Sequence, residues 1–242
     1  MGVQEQVKTF LFMTVEKNSQ MLFPAITELS DRLYKVIADA FDRTFRGYLQ
    51  GKDVKENDKY FLFQSGLPHP IANLLITRNQ DDAALLIEGV EPLCSDKFPS
   101  AVVFLGQVGS EADELLRSRN FELAEKMPAM AIDLHDLTVT TLGDDYTIQQ
   151  VGADEHGLWV DTFAKGYELP HALADRFGPG MVASVAEEAE EYRYYIVFHN
   201  SRAVSTALDI IRDGIIEVYC ISTITEYRGR GIGRFVTGEP LR

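Results

Sequence analysis

Hydrophobic residues recur at two spacings along the chain, and these spacings predict alternating helices and strands in its first half. Residues 23–51 repeat apolar side chains about every three to four positions, which predicts a helix that ends at Gly51. Residues 59–79 form the pattern of two strands around a Gly/Pro turn. The further predicted elements of this half are a helix over 81–94, a buried strand over 100–107, a helix over 110–121 with Ser110 as N-cap, and a strand over 129–134.

A second series of elements follows a polar segment, residues 135–146, which has turn residues and no helical period. We therefore place a domain boundary near residue 140, between domains 1–140 and 141–242. The pattern predicts strands over 146–151, 194–200, 203–213 and 215–223, helices over 154–167 and 171–178, and a last helix that starts after a glycine-rich loop at 226–233. The predicted fold class is mixed α/β (α+β), with tight turns at 200–203 and at Asp213-Gly214 joining the last three strands.

Charge and cysteine content narrow the classes of function. The 242 residues carry a net charge of −14, and an acidic surface repels phosphate backbones and anionic lipid, so we expect no nucleic-acid and no membrane partner. Two cysteines form neither a disulfide framework nor a metal cluster. The sequence shows no basic leader and no apolar stretch long enough to span a bilayer, and we therefore expect a cytoplasmic protein.

The loop EYRGRGIG, residues 226–233, follows a strand and opens a helix. Its glycines allow backbone N–H groups to point together at an anion and allow that anion to approach closely. The loop lacks the lysine of a P-loop, and its glycine spacing and the preceding meander of strands do not fit a dinucleotide-binding βαβ unit. What remains is Arg228-x-x-Gly231-x-Gly233, either an anion-binding nest for a pyrophosphate or a tight surface turn.

In residues and context, CISTITEYRGRGIGRFVT resembles the acyl-coenzyme A loop of the GCN5-related N-acetyltransferase (GNAT) family. The resemblance covers residues 141–242 and implies a mostly antiparallel, twisted sheet flanked by helices. Residues 101–134 resemble the closing strand-helix-strand part of the same fold but contain no glycine loop. The chain thus looks like a tandem member of the family, with a degenerate first domain and a coenzyme-binding second domain.

The resemblance implies transfer of an acetyl group from acetyl-CoA to a primary amine of a small molecule, a peptide or a protein, without a metal ion. It implies that backbone groups of Cys220, Ile221 and Thr223 bind the pantetheine arm and the thioester. It also implies that the loop wraps the pyrophosphate, with Arg228 adding a charge-assisted bond. The loop residues concerned are Arg228, Gly229, Arg230, Gly231, Ile232 and Gly233.

Several side chains are candidates for chemistry, and each also has a structural interpretation. Glu217 is either the base that deprotonates the amine or a carboxylate on the surface of its strand. We interpret Cys220 as a small buried thiol rather than a nucleophile, because no histidine partner is evident. Tyr219 either lines the acceptor pocket or packs, and Trp159 is interpreted as core. His156, His171 and His199 show no ligand spacing.

The sequence covers only part of the pattern of elements that family members have. Family members continue with a fifth strand and a fourth helix, which carries a tyrosine acid, whereas residues 238–242 resemble the middle of the third helix. We therefore expect a domain truncated within that helix, and slow acetylation or none. The bare edge of strand 215–223 should pair either with a second copy of the chain, in the homodimer that we favour, or with strand 100–107 of the first domain. The alternative is a truncated pseudoenzyme that binds acyl-CoA, or mediates interactions, without catalysis.

Overall fold

The computed structural model describes residues 8–14, 31–50, 54–78, 83–106, 108–128, 131, 133–186 and 189–241. The chain divides into two compact units, Met1–Ala131 and Ile132–Arg242. Among the described residues, no helix combines the length and the apolar composition that crossing a membrane requires.

The first unit contains one sheet of six described strands, in the order β2-β3-β4-β5-β1-β6. Its strands are β1 (Lys8–Thr14), β2 (Val54–Glu56), β3 (Tyr60–Gln64), β4 (Asn73–Thr77), β5 (Ser100–Phe104) and β6 (Glu122–Pro128), and its helices are α1 (Asp31–Tyr48), α2 (Ala83–Ser95) and α3 (Ser110–Ser118). β2, β3 and β4 pair antiparallel, whereas β5 pairs parallel with β4 and β1, and β1 pairs parallel with β6. The strand β1 was not predicted from the sequence.

Two boundaries in this unit differ from the prediction. Ser110 is the first residue of α3 and not its N-cap; the cap position is Gly109, whose missing side chain cannot accept a hydrogen bond. The strand β6 lies at Glu122–Pro128, directly after the turn at Asn120, where φ is +62°. Of the predicted strand 129–134, residues 129, 130 and 132 lie outside the described residues, and residues 131, 133 and 134 are not in a strand. The predicted helical residues 23–30 and Gly51 lie outside the described residues.

The second unit contains a four-stranded antiparallel sheet in the order β10-β9-β8-β7. Its strands are β7 (Tyr146–Val151), β8 (Glu191–His199), β9 (Arg202–Arg212) and β10 (Ile215–Thr223), and its helices are α4 (His156–Tyr167), α5 (His171–Ala174) and α6 (Ile232–Gly238). Two-residue turns join the last three strands. Asn200, Ser201, Asp213 and Gly214 all have positive φ, as hairpins with the right-handed twist of a sheet require.

Helices cover both faces of this second sheet. Trp159 of α4 is fully buried and contacts the ring of Tyr194 at 5.2 Å, on one face of β8. The next residue, Tyr195, points to the other face, where it packs in a cluster with Ile232 and Phe235 of α6. The predicted fold class, a mixed and mostly antiparallel sheet structure flanked by helices, is confirmed.

Candidate functional site

A cavity of about 480 Å³ lies where the last turn of α4 meets the end of β10. Its lining consists of residues 166–168, residues 221–223 and Arg228. Three of the predicted coenzyme-binding residues, Ile221, Thr223 and Arg228, therefore meet at one opening. The structure adds the turn of α4 to this site, which lies more than fifty residues earlier in the chain.

Beside the cavity, β10 carries a β-bulge. Tyr219 pairs with Leu208 and Ser222 pairs with Thr206, so that Cys220 and Ile221 together face the single residue Ala207. Cys220 has φ of +52°, which is unusual for a residue with a side chain. A bulge leaves one residue out of the strand ladder and turns its backbone groups away from the partner strand. Because β10 is also the outer strand of its described sheet, its other edge faces no strand in the described part of the chain.

The glycine loop, residues 226–233, connects β10 to α6. Gly229 and Gly231 have φ of +77° and +81°, and α6 begins directly after Gly231. A Cβ atom on Gly229 or Gly233 would meet no atom within 4 Å, so the space above the loop is open. Within the described residues, no backbone carbonyl accepts a hydrogen bond from the N–H groups of residues 229–233. The loop thus offers several open backbone donors.

The two arginines of the loop direct their side chains to the protein itself. Arg228 donates from Nε to the carbonyl of Thr223 at 3.1 Å and from Nη2 to the carbonyl of Gly166 at 2.6 Å. Arg230 donates to the carbonyl of Glu226 and stacks over the ring of Tyr227, 4.7 Å from its centroid. Arg228 therefore links the C-terminal turn of α4 to β10 and forms part of the cavity wall.

Glu217 belongs to a buried ionic cluster at the start of β10. Its Oε1 pairs with Nε of Arg212 at 2.9 Å, and its Oε2 accepts a hydrogen bond from the hydroxyl of Tyr219 at 3.0 Å. Arg212 also pairs with Glu190, which accepts from the hydroxyl of Tyr192. Only 6% of the Glu217 side chain is exposed, so its interpretation as a surface carboxylate does not hold.

The remaining candidates have defined surroundings. Desolvation raises the pKa of the Cys220 thiol, which keeps it protonated and unsuited to nucleophilic attack. His156 accepts from the backbone N–H of Gly180 and lies 2.9 Å from Asp175. Nε2 of His171 lies 3.0 Å from Oδ1 of Asp161, and Nε2 of His199 lies 2.7 Å from Oδ2 of Asp145.

Sequence reasoning missed the contribution of α4 to the cavity. A Cβ atom on Gly166 would lie 1.8 Å from Oγ of Ser222 and 3.2 Å from the backbone nitrogen of Thr223. The helix therefore approaches β10 at backbone distance, and this contact places Tyr167 and Glu168 at the cavity. The available signal was a glycine inside a helical pattern, which marks a close approach.

No family model matches the chain. No curated protein matches its sequence. Fifteen chains of solved structures match its fold. One is a GCN5-related N-acetyltransferase from Kribbella flavida, which is 14% identical with a TM-score of 0.46, over 84% of this chain and 79% of that one. Another is a GCN5-related N-acetyltransferase-like protein from Streptococcus suis 89/1591, which is 11% identical with a TM-score of 0.43, over 85% of this chain and 83% of that one.

A tandem GNAT protein from the clavulanic acid biosynthesis pathway is 24% identical with a TM-score of 0.31. That match covers 38% of this chain and 30% of the other. The chain is thus similar in structure to GNAT proteins, the family that its loop sequence resembles.

Proposed function

We propose that the chain binds acetyl-CoA at the α4–β10 cavity and transfers its acetyl group to a primary amine of a small molecule or peptide, without a metal ion. The proposal combines the sequence resemblance of residues 220–237 with the geometry of the second unit. Cys220, Ile221 and Thr223 would hold the thioester and the pantetheine arm through backbone groups. Residues 229–233 would hold the pyrophosphate through their N–H groups.

One observation carries the proposal: the end of the bulged edge strand and Arg228 line one cavity, and the open glycines of the loop follow Arg228 directly. An acyl-coenzyme A is a long ligand whose pantetheine arm carries two amide groups between the thioester and a pyrophosphate. An edge strand supplies backbone donors and acceptors for amides, and a glycine loop supplies donors for phosphate oxygens. A surface turn would need neither the bulge nor the cavity beside it.

Local charge also favours an anionic ligand at this place. Residues 132–242 contain 18 acidic residues and nine lysines or arginines, yet three arginines lie within residues 228–234. This concentration of positive charge opposes the acidic character of the surrounding unit. It supports binding of a phosphate-bearing ligand at the loop.

The candidate base, Glu217, could act only if its side-chain contacts rearranged. Both carboxylate oxygens of Glu217 are engaged, one by Arg212 and the other by Tyr219. A base must come within hydrogen-bond reach of the proton that it removes. A base role for Glu217 therefore requires that one of these two contacts breaks when the amine binds.

Isothermal titration calorimetry with acetyl-CoA and with desulfo-CoA tests the binding step. Gly229→Asp places a negative charge in the open space above the loop, and we expect affinity to fall at least about tenfold, which is 1.4 kcal/mol. Gly214→Asp is the matched control, because Gly214 has φ of +74° and equally open space but lies in the β9–β10 turn. Equal affinities of the two variants would reject the loop as the binding site.

A thiol-release assay with a panel of amines tests the transfer step. Release of coenzyme A thiol that depends on the amine supports acetyl transfer. Tight binding of acetyl-CoA with no amine-dependent release would instead favour the alternative, an acyl-CoA-binding protein without catalysis.

A further inference from the structure

A second cavity, of about 540 Å³, lies beside the end of α4. Its lining comes from three segments: Ala164, Lys165, Glu168 and Leu169 at the end of α4, Arg202 at the start of β9, and Ile224, Thr225 and Glu226 after β10. Of these residues, only Glu168 also lines the α4–β10 cavity. The space has the volume of a site for a small molecule.

Backbone contacts fix the walls of this second cavity. The helix α4 ends where Glu168 has φ of +56°, and the N–H of Leu169 turns back to the carbonyl of Ala164. On the other side, the N–H of Ile224 donates to the carbonyl of Val204 at 3.0 Å. Both walls are therefore held by the fold itself.

Four charged side chains line the second cavity, two positive and two negative. Arg202 pairs with Glu226 at 3.3 Å. Lys165 and Glu168 are exposed, and within the described part of the chain their side chains make no hydrogen bond and no ion pair. They are three residues apart, a spacing at which opposite charges pair on a regular helix. The left-handed backbone at Glu168 ends the helix there, and the two charges remain available to a ligand.

Lys165 also acts on the wall that carries Glu226. A hydrogen bond from the backbone N–H of Glu226 itself, followed by the charges of Arg202 and Lys165, lowers the pKa of the Glu226 carboxyl group and keeps it ionised at neutral pH. The carbonyl of Glu226 accepts from Arg230 at 3.0 Å, which holds this residue at the cavity. Each wall thus presents one positive and one negative group.

A ligand that matches both walls carries an ammonium and a carboxylate close together. An α-amino acid has both groups on one carbon atom, whereas a simple amine or a simple acid would leave two of the four charges without a partner. The rest of the lining is mostly apolar, because Ala164 and Ile224 are buried and Leu169 is half-buried. This part of the cavity suits an aliphatic side chain.

We propose that the second cavity binds a free α-amino acid with an aliphatic side chain. The carboxylate of the ligand pairs with Lys165 and Arg202. Its ammonium pairs with Glu168 and Glu226, and its side chain packs on the apolar lining. Such binding requires no acetyl-CoA and is a property separate from the proposed function.

Calorimetry of the full chain without acetyl-CoA tests this site with L-valine as the probe. Isobutylamine lacks the carboxylate of L-valine, and N-acetyl-L-valine lacks its ammonium. We expect L-valine to bind with a dissociation constant of about 1 mM or tighter, and each analogue to bind at least about fivefold more weakly. Absence of L-valine binding, or equal binding of L-valine and both analogues, would contradict the proposal.

Two variants assign the binding to this cavity. Lys165→Gln and Glu168→Gln should each weaken L-valine binding about threefold or more. On Lys165→Gln, L-valine should lose most of its advantage over isobutylamine, because the missing cation is the partner of the carboxylate. On Glu168→Gln, it should lose most of its advantage over N-acetyl-L-valine. Lys55→Gln is the control, because it makes the same change in net charge at an exposed residue of β2.

The same proteins distinguish this site from the proposed function. Lys165 does not line the α4–β10 cavity, so Lys165→Gln should leave the affinity for acetyl-CoA unchanged. A chain that binds L-valine but not acetyl-CoA would keep the second site and lose the proposed function. If neither Lys165→Gln nor Glu168→Gln weakens L-valine binding, the amino acid does not bind at this cavity. Circular dichroism and thermal melting verify that the variants are folded.

Discussion

At the scale of single residues, the second sheet buries two carboxylates in very different surroundings. Glu217 is compensated by Arg212 and Tyr219. Asp209, one strand away on β9, is 1% exposed, and its Oδ1 has no hydrogen-bond partner among the described residues. Desolvation raises the pKa of Asp209 to about 7, and Arg193 on β8 offsets only part of this shift. An uncompensated carboxylate of this kind makes stability depend on pH.

We predict that Asp209→Asn is more stable than the wild type above pH 7. The pKa of Asp209 in the folded protein lies above the unfolded value of 3.8, so the folded state holds the proton more tightly. Wild-type stability therefore falls as pH rises from about 4 through 7, by up to about 4 kcal/mol at 1.36 kcal/mol per pH unit. The asparagine variant lacks this dependence.

Urea unfolding of both proteins at pH 5 and pH 8 measures the difference. The stability gain of the variant should be larger at pH 8 than at pH 5. A gain that is the same at both values would show that Asp209 does not titrate in this range.

The second prediction at this scale concerns Arg228, whose side chain binds two backbone carbonyls in the structure. We expect Arg228→Met to lower stability by about 1–2 kcal/mol, the usual worth of such bonds at a partly exposed site. Because the wall of the cavity depends on these bonds, the variant should bind acetyl-CoA and S-acetylpantetheine more weakly by a similar factor. Competition calorimetry measures both affinities.

S-acetylpantetheine lacks the pyrophosphate, so comparing it with acetyl-CoA distinguishes two roles of Arg228: shaping the cavity wall and binding the phosphate. A loss confined to acetyl-CoA would show that Arg228 acts as a phosphate ligand, as the sequence resemblance implies. Arg228→Lys, which keeps the charge but not the two-pronged geometry, distinguishes charge from shape.

At the scale of elements, the contact between α4 and β10 forms the candidate site. The helix carries one glycine at each end, Gly157 and Gly166, with opposite surroundings. A Cβ atom would meet nothing within 4 Å at Gly157 but would overlap Ser222 at Gly166. An added side chain at Gly157 should change stability only through helix propensity, whereas one at Gly166 should also disturb the packing of α4 on β10.

We predict opposite effects of the same change at these two positions. Gly157→Ala should stabilise the protein by up to about 1 kcal/mol through helix propensity. Gly166→Ala should destabilise it by about 1–3 kcal/mol or more, because the helix must move off β10. Thermal and urea unfolding of both variants measure the effects, and acetyl-CoA affinity should drop only for Gly166→Ala. If Gly166→Ala is neutral for stability and affinity, the close packing of α4 on β10 does not define the cavity.

At the scale of the whole molecule, the free edge of β10 invites association with another strand. β10 is the outer strand of the described second sheet, and Ile215 is an exposed apolar residue at its start. Edge strands with unpaired backbone groups and apolar, β-branched side chains tend to pair with other chains. We predict that two copies of this chain pair through residues 215–219 of β10, before the bulge, so that the edge from Cys220 onward stays free for the proposed coenzyme.

Light scattering after size exclusion should give the mass of a dimer. Hydrogen exchange of the β10 amides that face away from β9 should slow as protein concentration rises, because pairing between copies depends on concentration. A monomer whose β10 exchange is independent of concentration would contradict self-pairing.

Much of the fold followed from local patterns in the sequence. The strands β7 to β10 and their tight turns were predicted because apolar residues alternate with period two and turn residues separate them. The strand β1 was missed because its apolar run, residues 10–13, is short and becomes a strand only by parallel pairing with β5 and β6. Ser110 was taken as the N-cap of α3 because its side chain suits a cap, whereas Gly109 occupies that position. The strand β6 was missed because it begins directly after the turn at Asn120, and periodicity does not report such a turn.

The features of the candidate site also fall into two groups, those set by local sequence and those set by tertiary packing. The sequence by itself determined the glycine loop and the strand that leads into it, because glycine spacing and β-branched runs act through the backbone of neighbouring residues. Only the tertiary structure decided the surroundings of this loop and strand. It brings Gly166 and Tyr167 from a distant helix to the cavity, forms the bulge at Cys220, buries Glu217 against Arg212, and binds Arg228 to two backbone carbonyls. These features arise from packing between segments far apart in the chain, where burial and close approach set which donors remain available.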